Sequence, residues 1–195
     1  MTFRLGLTGS IGMGKSTTAA LFAAEGLPVW DADAAVHRLY AAGGAAVAPL
    51  GALCPQAIRG GSVSRETLKH HIAADPTLLP AIEAVVHPLV ARDRANFLAS
   101  SPADIAILDI PLLFEKGNEA EMDATLLATA PPALQRARVL ARPGMTEAQF
   151  ALILSRQMPD SDKRARATHI VETLSLDQTA AYVRALIAHI RTNHA

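Results

Sequence analysis

The chain has one cysteine in 195 residues, Cys54. An intramolecular disulfide and a cysteine metal cluster are therefore excluded, and a reducing compartment is expected. Aromatic residues make up only 4%, so a core must be built mainly from Ala, Leu, Val and Ile. Neither sign of charge dominates, with Lys plus Arg and Asp plus Glu at 18 each. That balance gives no support for a general nucleic-acid or membrane binder. No uninterrupted apolar run is long enough to cross a bilayer, and the first residues lack a charged-then-apolar export pattern. A cytoplasmic protein is expected, with neither nucleic acid nor membrane as partner and no oligomeric state implied.

Half of the residues are apolar, enough for a sizeable core. The length suits one domain with room for a small insertion. Short apolar runs at 3–8, 27–30, 105–110 and 123–128 read as buried strands, with 169–172 as a last short one. Helical patterns lie between them, at 15–25, 34–42, 131–142, from 146 and from 175. Strands alternating with helices predict an α/β fold with a parallel sheet covered on both faces. From 34 to 100 the strand signal vanishes. Segments 65–74 and 78–98 read as helices with Pro and Gly breaks, a candidate helical insertion. Thr146 to Gln149 and Ser175 to Gln178 each have the form of a capping box.

Gly9-Ser10-Ile11-Gly12-Met13-Gly14-Lys15-Ser16 fits the phosphate-loop pattern G-x-x-x-x-G-K-[ST]. Glycines allow backbone conformations that turn N–H groups toward phosphate oxygens. The helix that follows directs its positive end at the same anion. In such a loop the Lys15 ammonium reaches the β- and γ-phosphates and the Ser16 hydroxyl ligates Mg²⁺. Nucleotide binding is predicted, with Gly9, Gly12, Met13, Gly14, Lys15, Ser16 and Thr17 around the phosphates. The loop alone does not separate kinases from other nucleotide hydrolases.

Asp31 and Asp33 follow the second apolar run. Two apart in an extended segment, both carboxylates face the same way, and ligands gather at the carboxyl ends of parallel strands. One can accept a proton from an attacking hydroxyl or organise magnesium. The alternative is an Asp capping the next helix. Asp109 closes the third run, where an acid holds Mg²⁺ directly or through water, or simply faces solvent. Arg138 and Arg142, four apart on one predicted helix, share a face. They either neutralise a transferred phosphoryl group or form a solvated basic face, and Arg156 invites the same two readings. Gly144 is a candidate hinge for a lid. His87 precedes Pro88, which interrupts a helical pattern. A lone His is more often a helix-end or core residue than a ligand, so no metal site is expected and that role is the plain reading. Cys54 reads as a packed thiol.

Together these motifs resemble the dephospho-coenzyme A kinase family. The stretch from Gly6 to Thr17 is similar to that family's phosphate loop, including the Leu-Thr-Gly approach. Asp31-Ala32-Asp33, His87-Pro88-Leu89-Val90 and the run from Asp109 to Glu115 resemble its segments in the same order. So do Gln135 to Arg142, Arg156-Gln157-Met158-Pro159 and Lys163. The resemblance implies a three-layer P-loop kinase with a five-stranded parallel sheet. Residues 1–33 and 101–195 would form the nucleotide core, 34–100 the helical acceptor-binding insertion and 131–158 the lid. It implies transfer of the γ-phosphoryl of ATP, with Mg²⁺, to the 3′-hydroxyl of dephospho-coenzyme A. Lys15, Asp33 and Arg142 would be catalytic, Arg138 would contact the nucleotide, and Asp33, His87 and Asp109 would meet the acceptor. Asp109 would also serve magnesium with Ser16.

The chain departs from the pattern after the lid. The family usually shows Ala-Asp, an apolar pair and Asp-Asn. Here Thr168 follows Ala167, and Glu172-Thr173 stand in place of Asp-Asn, beside the adenine in related kinases. Pro143 follows Arg142 where an acid is common. Other small-molecule kinases share loop and lid but should lack the Asp109 to Glu115 stretch. A GTPase switch would carry Asn-Lys-x-Asp, which the sequence lacks.

Overall fold

The apolar runs pair as a five-stranded parallel sheet in the computed structural model, which describes residues 2–194. Along the chain the elements are β1 (Phe3–Thr8), α1 (Lys15–Ala24), β2 (Val29–Asp31), α2 (Ala32–Tyr40) and α3 (Val47–Leu53). Then come β3 (Ile58–Arg59), β4 (Ser62–Val63), α4 (Arg65–Ala74), α5 (Leu78–Ser100) and β5 (Ile105–Asp109). The last are β6 (Ala124–Thr129), α6 (Pro132–Leu140), α7 (Glu147–Leu154), α8 (Asp160–Arg166), β7 (His169–Glu172) and α9 (Leu176–Asn193). The chain divides into two compact units, one running to Trp30 and resuming at Ser101, the other spanning Asp31–Ser100.

In the first unit the sheet order is β2-β5-β1-β6-β7. β1 lies in the middle, parallel to both β5 and β6, with Leu5 opposite Ile107 and Ala124. Every residue of β5 and β6 is buried, as expected of strands covered on both faces. Leu5, Leu7, Ile107, Leu126 and Val171 form a core with Phe22 of α1 and Val183 and Ile187 of α9. The N-terminus of α9 is capped by Ser175, whose hydroxyl accepts from the Gln178 amide at 3.2 Å. At α7 the Thr146 capping box is complete in both directions.

The second unit is mostly helical, around Leu39, Leu50, Cys54, Leu68, Ile82 and Val86. Arg38 of α2 donates to Asp93 of α5 at 2.6 Å. Two details differ from the sequence expectation. A small hairpin, β3 against β4, interrupts the helices. Its turn is Gly60-Gly61, with φ of 55° and 75°, the positive pair that a two-residue hairpin turn demands. And α5 runs unbroken through Pro88. Proline forfeits one helical bond to the carbonyl four residues back, that of Ala84, which is exposed. Among the described residues no helix is long and apolar enough to cross a membrane.

Candidate active site

The site grows from the turn between β1 and α1. Gly12 and Gly14 have φ of 77° and 84°, a region that L side chains rarely adopt. Space demands glycine too. A Cβ on Gly12 would collide with Val139 of α6, and one on Gly14 would lie 2.7 Å from Thr173 Oγ1. Gly9 lies so close under Ala128 that its Cβ would sit 2.6 Å from that carbonyl. Behind this turn α1 begins without a side-chain cap and with no acid in its first turn. α2, α4, α7 and α9 each take a side-chain oxygen at the same place, whereas α3, α6 and α8, like α1, take none; of these only α1 follows the phosphate-loop glycines. The unmatched N–H groups of α1, at the positive end of its dipole, therefore suit an external anion.

Lys15, Ser16 and Thr17 form the first turn of α1, with Ser16 and Thr17 exposed. The Lys15 ammonium forms an ion pair with Asp109, which is 3% exposed at the end of β5. The lysine of the loop and the acid of the third run are thus brought together, as parallel neighbours β1 and β5 require. Met13 is buried, and its sulfur accepts from the Ala130 amide at 3.1 Å.

Three side chains from distant sequence hold the loop. Thr173 Oγ1 donates to the Met13 carbonyl at 2.9 Å. Gln135 donates to the Ile11 carbonyl at 2.8 Å, and Gln157 accepts from the Ile11 amide at 3.2 Å. Arg138 lies beside them. Its guanidinium donates to Thr173 Oγ1 at 2.9 Å and to the Thr173 carbonyl at 2.5 Å. Thr173 thus stands where the resemblance led one to look for Asn, and it binds the loop and Arg138. Sequence reading missed the supporting roles of Thr173 and Gln135. A signal existed for Gln135, since it shares the buried stripe of α6 with Val139, and a buried amide needs partners.

Arg142 does not share a helix face with Arg138. α6 ends at Leu140, and Arg142 lies exposed beyond it, its amide donating to the Val139 carbonyl at 3.1 Å. Pro143 disfavours helical geometry at the residue before it. Arg136 pairs with Glu147, which ties α6 to α7.

Asp33 and His87 belong to the second unit. The expectation that Asp31 and Asp33 point alike fails, because α2 starts at Ala32, two residues before the start at 34 that the extended reading allowed. Asp31 is its N-cap, accepting from the Ala34 amide at 2.9 Å, and Asp33 lies exposed in the first turn of α2. His87 is on the exposed face of α5, its Nε2 4.0 Å from Glu83 Oε1. It is neither a core residue nor at a helix end. Cys54 is buried.

The architecture and motifs match known proteins. The sequence model of a family described as dephospho-CoA kinase matches residues 3–177. A Cereibacter sphaeroides protein named dephospho-CoA kinase is 74% identical, over 97% of this chain and 96% of its own length. A solved protein of Thermus thermophilus superposes with a TM-score of 0.86 at 38% identity, covering 100% of this chain and 99% of its own. A dephospho-CoA kinase structure from Campylobacter jejuni, TM-score 0.74 at 18% identity over the full length of both, shares the fold. A phosphate loop backed by an uncapped helix, in a chain matched along nearly its whole length, leaves one conclusion: the chain belongs to the dephospho-CoA kinase family.

Proposed function

We propose that this chain transfers the γ-phosphoryl group of ATP to the 3′-hydroxyl of dephospho-coenzyme A, giving coenzyme A and ADP, the last step of coenzyme A biosynthesis. The observation that carries the reading is the uncapped start of α1 behind its glycine loop, with Lys15 and Asp109 paired beside it. Backbone N–H groups of the loop from Gly9 to Thr17 receive the phosphates, and Lys15 exchanges Asp109 for β- and γ-phosphate oxygens. Ser16 and Asp109 would hold Mg²⁺. Both offer hard oxygen donors, and magnesium shared with phosphates and waters needs only one or two protein groups. An ion held there would supply positive charge against the negative charge that develops on the phosphates.

In this reading residues 1–33 and 101–195 serve the nucleotide, 34–100 receive the acceptor, and 131–158 act as a lid. Asp33 orients or deprotonates the acceptor hydroxyl, and His87 contacts the acceptor. Arg138 faces the nucleotide. Arg142, exposed and outside the helix, is available to the transferred phosphoryl group as charge spreads. Both substrates are small soluble molecules, which suits a cytoplasmic enzyme with one buried thiol.

A coupled ADP-release assay tests the reading with Mg²⁺-ATP and a panel of acceptors. Dephospho-coenzyme A should be phosphorylated, while adenosine, nucleoside monophosphates and shikimate should not. Lys15→Ala should lose about 10²–10³-fold in kcat. Lys15→Arg should fail too, since a planar fork does not replace a compact ammonium. Turnover of another acceptor but not of dephospho-coenzyme A would overturn the assignment.

A further inference from the structure

Ile11 is the third residue of the phosphate loop, and side chains take both of its backbone hydrogen-bonding groups. Gln135 Nε2 donates to its carbonyl at 2.8 Å, and Gln157 Oε1 accepts from its amide at 3.2 Å. The two glutamines are far in sequence from Ile11 and are separated from each other by the rest of α6 and all of α7. Gln135 is in α6 itself and only 5% exposed. A buried amide at that position would be disfavoured in an apolar stripe without a dedicated partner. Gln157 lies in the turn after α7, and its neighbour Met158 is fastened in turn, its amide donating to Glu115 at 2.9 Å. Glu115 is paired with the fully buried Lys163 at 2.8 Å. The side of the loop next to Ile11 is equally tight, since Val139 leaves no room for a Cβ on Gly12.

We infer that Gln135 and Gln157 are positioning residues for phosphoryl transfer: they clasp Ile11 and hold the loop in its phosphate-receiving shape. This rests on the reading that the loop binds the phosphates of ATP. The clasp has a polarity. Position 135 must donate and position 157 must accept. Neither side chain needs to touch the nucleotide. A loop released at Ile11 gains conformations that do not present its N–H groups together, so nucleotide affinity falls by the fraction of time spent in them.

The polarity supplies the test. Gln135→Glu and Gln157→Glu add the same charge beside the same residue, but only the second keeps the needed atom. Each is compared with the Met variant at its own position, which removes both amide atoms at similar size. The readouts are calorimetric binding of Mg²⁺-ATP without acceptor, thermal melting, and steady-state kcat and KM for each substrate. The ratio of ATP affinities, Glu variant over Met variant, should be roughly tenfold or more higher at 157 than at 135, the scale of one buried hydrogen bond against an unmatched acceptor. KM for ATP should follow that order while KM for dephospho-coenzyme A does not. A purely architectural role would lower melting temperatures without that order in affinity. Should Gln135→Glu not fold, Lys replaces Glu at both positions and the order must invert, because Lys donates and cannot accept. Equal ratios at the two positions would overturn the clasp while leaving nucleotide binding intact. Failure of the wild-type chain to bind Mg²⁺-ATP would instead remove the nucleotide reading and the clasp with it.

Discussion

The carboxylate of Asp31 accepts from the Ala34 amide, whereas Asp33, two residues on, lies exposed in the first helical turn. An Asp-x-Asp step after a strand admits either an extended or a helical continuation. The local bond from side chain to backbone settled it in favour of the helix. That bond separates the two acids experimentally. Asp31→Ala should cost about 1 kcal/mol of stability, the usual loss of an N-cap, seen in denaturant titration, with kcat changed only slightly. Asp33→Asn should fold and bind ATP normally and lose roughly 10²-fold in kcat, the scale of a positioned base. Loss of kcat in Asp31→Asn with full turnover in Asp33→Asn would reverse the assignment. Of the individual site residues, the loop glycines, Lys15 and Asp109 were legible because pattern and strand position fix them. The partners of Thr173 and Gln135 were not, because they depend on which strands and helices become neighbours.

A buried ion pair helps join α8 to the segment after β5. Lys163 has no exposed surface, and its ammonium lies 2.8 Å from Glu115. Burial alone would push the Glu115 carboxyl up. The Lys163 ammonium and the Met158 amide outweigh it and hold the group below its ordinary value. A charge buried in this way is costly to leave alone. Lys163→Met should therefore destabilise by about 3–5 kcal/mol, and Lys163→Met with Glu115→Leu should recover much of that in chemical denaturation. If the double variant is as unstable as the single one, the pair is not the cause. Element existence was largely readable from apolar runs, glycine breaks and capping boxes. Boundaries failed where one residue decided. Pro143 ended α6 before Arg142, and α5 tolerated Pro88 where a break was expected. The β3–β4 hairpin was overlooked although Gly60-Gly61 marks such a turn, because its strands are only two residues each.

The family was legible from the order of motifs along the whole chain, each of which alone is only moderately specific. Response to pH is a property of the assembled fold instead. Three carboxylates paired with a cation are held below their ordinary values. Asp123 bonds Arg4, Asp104 bonds Arg191, and Glu115 has Lys163. Their contributions are present above the usual carboxylate range of about 4 and are lost only as pH falls below it. His169 acts earlier. Burial, and after it the charge of His189, holds its imidazole below the ordinary value, and the two rings meet edge-on with centroids 5.9 Å apart. Protonation then favours the unfolded chain, so the contribution is complete above about pH 6.5 and declines as pH drops below it. The melting temperature should fall from pH 7 to pH 5 in the wild type and fall less in His169→Phe, which keeps a ring in place. Equal slopes would exclude His169 as the cause. The lone thiol of the chain, Cys54, is 3% exposed inside the core of the helical unit. A thiol reagent can reach it only when that unit opens, so the rate of Cys54 modification is a clock for the helical unit's own breathing, read without any added label.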